Sequence, residues 1–190
     1  LNWVQMNAVK KQTLILGSGA SLKLRQRVNM YPVKCIKYLN LPAIPQTVIN
    51  SIEFDDNDLT LAKSSVGYKS SIVSTELLNE WGRKNISEDI FLNYQLMTDN
   101  VLLHRDKSTK SKLLYVIDTG GDEVLTSFYT DPQGTDLLFK AVIEPGRWCI
   151  FEADVCHKVS NMDPGKLRFA ITGQIFRSGE LDIREAYSTN

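Results

Sequence analysis

Trp148-Cys149-Ile150-Phe151-Glu152-Ala153-Asp154-Val155-Cys156-His157-Lys158-Val159-Ser160-Asn161-Met162-Asp163-Pro164-Gly165-Lys166-Leu167-Arg168-Phe169-Ala170-Ile171-Thr172 is the stretch whose reading decides the fold. It holds three short runs rich in apolar, aromatic and β-branched residues, parted by polar turn segments such as Asp163-Pro164-Gly165. Runs of this length and composition, bounded by Pro, Gly and Asp, read as strands rather than helices. The same grammar extends towards the N-terminus. Residues 90–97, 101–105, 113–118, 124–129 and 137–143 precede the runs at 148–151, 157–161 and 167–176. Thr119-Gly120-Gly121-Asp122, Asp131-Pro132-Gln133-Gly134 and Glu144-Pro145-Gly146 punctuate them. Eight strands at this spacing predict a β-barrel or a double-sheet jelly roll.

The first half reads differently. Residues 1–16 carry apolar positions suited to one or two short strands, and segment 23–39 is basic, broken by Pro32, and expected to present its charges to solvent. Leu41-Pro42-Ala43-Ile44-Pro45 is a rigid connector, and residues 47–52 begin a helix or a strand. Asp55-Asp56-Asn57-Asp58 reads as an acidic turn, because the glycine and distal glutamate of a calcium loop are missing. Ser74 is the expected N-cap of a helix in which Leu77, Leu78 and Trp81 recur at helical spacing. That helix is expected to pack on the outside of the sheet. A length of 190 residues predicts one domain, with flanking elements over about 1–89 and the β core over about 90–176. The class is then mainly β (α+β), with N-terminal helices beside the core.

Lys+Arg and Asp+Glu both number 22, so bulk charge gives no support to a nucleic-acid or acidic-membrane partner. No apolar run approaches the length of a membrane span. Three cysteines, none in a CxxC arrangement, cannot all pair within the chain. Reduced thiols and a cytoplasmic location are the expectation.

The chain has two histidines, and both sit where a metal could use them. His104 lies in His104-Arg105-Asp106, and residues i and i+2 of a strand point to one face, so His104 and Asp106 are expected to aim inward together. His157 opens a strand fifty-three residues later and can complete the site from across the barrel. Cys156, its neighbour, should face the other way and is not counted as a ligand. Two neutral imidazoles and one carboxylate, with positions left open, suit non-haem Fe(II) oxygen chemistry. Arg168 follows His157 by eleven positions and offers a planar cationic fork for a carboxylate.

This order of HxD, distant His and then Arg on the last strand resembles the Fe(II)/2-oxoglutarate-dependent dioxygenase superfamily over roughly residues 90–176. Trp148-Cys149-Ile150-Phe151, Asp154, His157-Lys158-Val159, Asn161 and Arg168 to Thr172 look like its distal half. There is some similarity to the aspartyl/asparaginyl hydroxylase-like and prolyl hydroxylase-like branches. Asp106 departs from the first of these, many of whose members carry a small residue there. The resemblance implies a double-stranded β-helix, the cupin-like form of the jelly roll. It implies that His104, Asp106 and His157 bind iron and that Arg168 binds the C5 carboxylate of 2-oxoglutarate. A further hydroxyl for that carboxylate is open among Tyr94, Tyr115 and Thr172. The family's Arg-x-Ser reads Arg168-Phe169-Ala170 here, so the serine contact is missing. The implied activity consumes O2 and 2-oxoglutarate, releases succinate and CO2, and hydroxylates a small-molecule or peptide substrate. Asp106 argues against the halogenating members, which vacate that position.

Other chemistries fit less well. A cupin-like metal-binding or sensor domain without turnover shares the metal expectation, and a barrel used only for partner binding would hold no metal. Ser108 and Ser160 lie in no nucleophile-elbow sequence. Gly17-Ser18-Gly19 lacks a P-loop lysine. A zinc hydrolase would leave Arg168 unexplained. Loops at 63–72, 107–112 and 119–123 are the expected substrate contacts; Lys107, Lys110 and Lys112 are open to meeting an acidic substrate, though a solvated loop is the simpler reading.

Overall fold

The strand grammar of the second half becomes two antiparallel sheets in the structure, a computed structural model that describes residues 35–53, 70–106 and 111–175. All described residues belong to one compact unit. The expectations for residues 1–16, Gly17 to Gly19, the acidic turn at 55–58, the loop at 63–69, Lys107, Ser108 and Lys110 lie outside the described residues.

Along the chain come β1 (Ile36–Tyr38), α1 (Gln46–Ile49), β2 (Ser70–Val73), α2 (Glu76–Asn85), β3 (Ile90–Met97) and β4 (Val101–His104). They are followed by β5 (Ser111–Asp118), β6 (Leu125–Tyr129), β7 (Leu137–Ala141), β8 (Trp148–Glu152), β9 (Cys156–Ser160) and β10 (Arg168–Ile175). The large sheet has the order β1-β8-β5-β10-β3-β2, and the small sheet the order β4-β9-β6-β7. From β3 onward, the chain crosses repeatedly between the two sheets, which is the double-sheet jelly roll that the turn spacing predicts. Each of the eight expected strands is present.

The large sheet buries both faces. Between the sheets, Leu114, Val116, Cys149, Phe151 and Ala170 meet Phe128 of the small sheet. On the outer face, Leu92, Tyr94, Leu113, Tyr115, Trp148, Ile150 and Ile171 pack with Ile44, Val48, Leu78 and Ile86 from the helical segment. A strand covered on both sides reads as a continuous apolar run, and every residue of β8 is buried. Cys149 and Phe151 point to the inner cluster, while Trp148 and Ile150 point to the outer one.

Helix α2 lies on that outer face, as expected. Gly82 permits the approach, since a Cβ there would stand 2.7 Å from Leu92 Cδ1. Trp81 stacks on Trp148 at 6.3 Å between ring centroids. The N-cap is Thr75, not Ser74: the Thr75 hydroxyl accepts from the Leu78 N–H at 3.2 Å. Ser74 instead donates to Leu92 O, which ties the helix entry to β3. Residues 47–52 resolve as the single helical turn α1 followed by a turn. The basic segment conceals a strand, because Ile36–Tyr38 pairs with β8 in the register Ile36 to Phe151.

Candidate metal centre

His104 reaches the centre through a slip in register. Val101 lies opposite Val159, so an unbroken antiparallel ladder would set Leu103 against His157. The register shifts between Val101 and His104, and His104 faces His157 instead. Such an irregularity re-aims the side chains that follow it. The two imidazoles lie 4.3 Å apart between centroids. Asp106 arrives differently from the strand-parity expectation. Strand β4 ends at His104, and Asp106 is held beyond it by a backbone N–H that donates to Ala153 O at 2.8 Å. Its Oδ1 stands 3.6 Å from His104 Nε2.

One ligand atom from each of His104, Asp106 and His157 lies within 4.8 Å of the others, so the three can hold a metal ion. Metal–ligand bonds of about 2.1 Å bring donor atoms to about 3 to 4 Å from one another, which is near the spacing of these three. The ring hydrogen bonds point the same way. His104 Nδ1 is 2.9 Å from Leu102 O, and His157 Nδ1 is 2.7 Å from Val155 O. A nitrogen this close to a carbonyl oxygen carries the proton, so each Nε2 keeps its lone pair for a metal. Burial pushes the His157 pKa down to about 4, so the ring is neutral at physiological pH. Phe151 meets that ring edge-on at 4.8 Å and Phe128 lies at 5.9 Å, walling one side against water. Cys156 alternates to the opposite face of β9 and stays outside the cluster. The donor set of two imidazole nitrogens and one carboxylate oxygen suits a divalent first-row metal.

Lys112 belongs to a strand rather than to the expected loop, and it is half-buried beside the triad. It sits on β5, and its Nζ donates to Asp106 Oδ2 at 2.8 Å. The local signal was present: Lys112 shares strand parity with Leu114 and Val116, both buried between the sheets.

Arg168 begins β10 on the same inner face as Ala170 and is 4% exposed. The ladder to β5 slips immediately after it, with Phe169 opposite Asp118 and Ala170 opposite Val116. Its Nε has no hydrogen-bond partner among the described residues. Burial is the main influence on its charge, and burial also pushes the nearby Cys149 thiol up to about 12, which keeps that group neutral. Burial lowers the guanidinium itself to about 10, which still leaves it cationic. A buried cation is costly without a counter-ion, none pairs with this one among the described residues, and its planar fork is shaped to accept a carboxylate. Cys149 belongs to one cluster with Phe128 and Phe151, the rings that wall His157, so Arg168 and the triad border the same interior.

The three candidate hydroxyls do not gather around Arg168. Tyr94 and Tyr115 both lie opposite Ile171, on the outer face with the helices. Tyr94 donates to Val48 O at 2.6 Å, and Tyr115 packs on Trp148 at 5.0 Å between centroids. Strand alternation turns both away from Arg168, which corrects the expectation for these two. Thr172 does share the inner face, between Asn93 and Leu114. It stands four residues along β10, about 13 Å from Arg168 at strand rise.

No family model matches the chain, and no curated protein matches it. Among solved structures it is similar to procruciferin, an 11S globulin from Brassica napus, at 14% identity and TM-score 0.37, over 63% of this chain and 27% of that one. It is similar to the EutQ protein of Clostridium difficile at 12% identity and TM-score 0.40, over 67% and 76% of the two chains. A cupin-like protein from Thermotoga maritima matches at 11% identity and TM-score 0.35, over 60% and 76%. The chain thus spans about a quarter of the procruciferin length and three quarters of the other two. At these scores the likeness says nothing about chemistry, and the fold stands on the strand order and registers. Among the described residues, no helix is long and apolar enough to cross a membrane.

Proposed function

We propose that this chain is an Fe(II)- and 2-oxoglutarate-dependent oxygenase that hydroxylates a C–H bond of an amino-acid, peptide or small-metabolite substrate. The observation that carries the reading is Arg168. It is a buried guanidinium that has, among the described residues, no anion beside it and no partner for its Nε, on the inner wall of a jelly roll that also holds two imidazoles and a carboxylate. A metal-binding barrel with no anionic co-substrate has no use for such a cation.

His104 Nε2, His157 Nε2 and Asp106 Oδ1 would hold the iron. When bound, it supplies the redox chemistry by which O2 and 2-oxoglutarate become succinate and CO2 while one oxygen atom enters the substrate. The chain's own residues do the rest. Arg168 takes the far carboxylate in a two-pronged, charge-assisted grip and fixes the co-substrate's orientation. Phe128 and Phe151 keep water from the His157 side. The carbonyls of Leu102 and Val155 hold the Nδ1 protons and so aim both Nε2 atoms.

The test is an anaerobic titration of the metal-free protein with Fe(II) and 2-oxoglutarate, followed by visible absorption, with His157→Ala and Arg168→Ala alongside. The expected result is a weak charge-transfer band in the wild type, absent without His157 and diminished without Arg168. Succinate release in air then separates an oxygenase from a metal-binding or sensor barrel. No band at saturating reagents overturns the reading.

A further inference from the structure

The chemistry above makes no use of Lys112, yet this residue touches both halves of the centre. Its Nζ is 2.8 Å from Asp106 Oδ2 and 5.6 Å from the centroid of the Phe151 ring. Phe151 lies directly opposite Lys112 in the β5–β8 ladder and meets His157 edge-on at 4.8 Å. One aromatic ring therefore lies beneath the lysine ammonium and against one of the two imidazoles. The ammonium grips the carboxylate oxygen that does not face His104, since Oδ1 is the atom 3.6 Å from His104 Nε2.

We infer that Lys112 is a positioning residue that holds Asp106 Oδ2 out of coordination, so that Asp106 offers a metal Oδ1 alone. The inference rests on the triad binding a divalent metal, as proposed above. A carboxylate on the free end of a strand, past its last ladder residue, can swing away or bind through both oxygens. Binding through both would use up a position that a chelating co-substrate needs. A charge-assisted hydrogen bond to one oxygen prevents both outcomes and sets the carboxylate plane. The sign of the effect separates this role from a bland one. An ammonium beside a dication repels it, so removing a lysine that only sat nearby would tighten metal binding. Removing a lysine that positions a ligand loosens it.

The experiment measures Mn(II) affinity of the full chain from the loss of the free-ion electron paramagnetic resonance signal. Wild type, Lys112→Met and Lys112→Arg are compared at one pH, with thermal melts beside them. Met keeps the stem against Phe151 and removes the charge, and its affinity is expected to fall by about 10- to 100-fold. Arg keeps charge and donors and is expected to return most of the affinity. Lys112→Gln serves if the Met variant does not fold, with the same loss expected. Unchanged or tighter binding in the charge-removed variant overturns the inference while leaving the metal reading intact. A wild type that does not bind Mn(II) removes both.

Discussion

The two faces of the large sheet are built from the same strands and obey opposite rules. On the outer face the described polar atoms are closed off. Tyr94 donates to Val48 O, Trp148 Nε1 donates to Pro42 O at 2.9 Å, and the Asn79 carboxamide both accepts from Leu92 N–H at 2.9 Å and donates to Leu92 O. On the inner face, Arg168 Nε is buried and has no partner among the described residues. Interiors normally satisfy their polar groups, and an unsatisfied one costs stability. Apolar packing on both faces holds the fold together, but the polar atoms of the outer face add to it, whereas Arg168 on the inner face carries a cost that fits a group that binds something. This contrast predicts that changes on the two faces separate cleanly into lost function and lost stability.

The largest expected effect is on the inner face. Arg168→Met should weaken 2-oxoglutarate binding on the order of a thousandfold, about 4 kcal/mol, because a buried charge pair is lost. The same change should leave the melting temperature unchanged or higher, since it removes an uncompensated buried cation. Binding is read by the charge-transfer titration and stability by thermal unfolding. A variant that melts much lower would mean that Arg168 is structural, and the contrast between the faces would collapse.

Asn79→Ala is the mirror experiment on the outer face. It removes the carboxamide that accepts from the Leu92 N–H and unties helix α2 from β3. A loss of about 3 kcal/mol in unfolding free energy is expected from one orphaned buried donor and the deleted bonds. Metal affinity of the folded fraction should stay at the wild-type level. A matching loss of metal affinity would show that the faces are coupled.

What the sequence made legible follows the same division between local and non-local causes. The eight strands could be read because Pro, Gly and Asp turns mark their ends, and Arg168 could be placed because Ala170 alternates with it. Strand β1 was hidden because Lys37 and its basic neighbours mask a three-residue run that forms only against β8. The slip that brings His104 opposite His157 has no local signature: the parity of Val101 alone would put Leu103 there. Tyr94 alternates with Ile90, Leu92 and Leu96, so its place on an apolar face was readable. Which apolar face looks towards the small sheet depends on long-range pairing, and that was not. Lys112 fell between the cases, with its parity visible and its partner Asp106 supplied by a loop on another strand's end.

Gly120 tests the seam between the two faces. Its φ is 77°, and a Cβ there would stand 3.1 Å from Arg168 N and 3.2 Å from Arg168 Cβ. Gly120→Ala should cost about 2 kcal/mol from the left-handed backbone and the crowding together. Because the crowding falls on the first residue of β10, 2-oxoglutarate affinity should drop severalfold as well, in contrast to Asn79→Ala. Equal affinity in the two variants would mean that the loop after β5 does not help to place Arg168.

The smallest effect is the sharpest test of which face a residue serves. Tyr94→Phe removes one hydroxyl, whose hydrogen bond to Val48 O joins β3 to α1. If Tyr94 belongs wholly to the outer face, the variant loses about 1 kcal/mol of stability, the net worth of one buried hydrogen bond, and binds 2-oxoglutarate as tightly as the wild type. The stacking of its ring on Phe169, at 5.6 Å between centroids, survives the change, so no larger packing loss should follow. Phe169 is the neighbour of Arg168 on the strand, so a disturbance of the outer face could reach the inner one through their shared backbone. A Tyr94→Phe variant with normal stability and weakened 2-oxoglutarate binding would therefore reverse the assignment and return this tyrosine to the co-substrate. A variant with lower stability and unchanged binding would place the division between the two faces at the backbone of β10 itself.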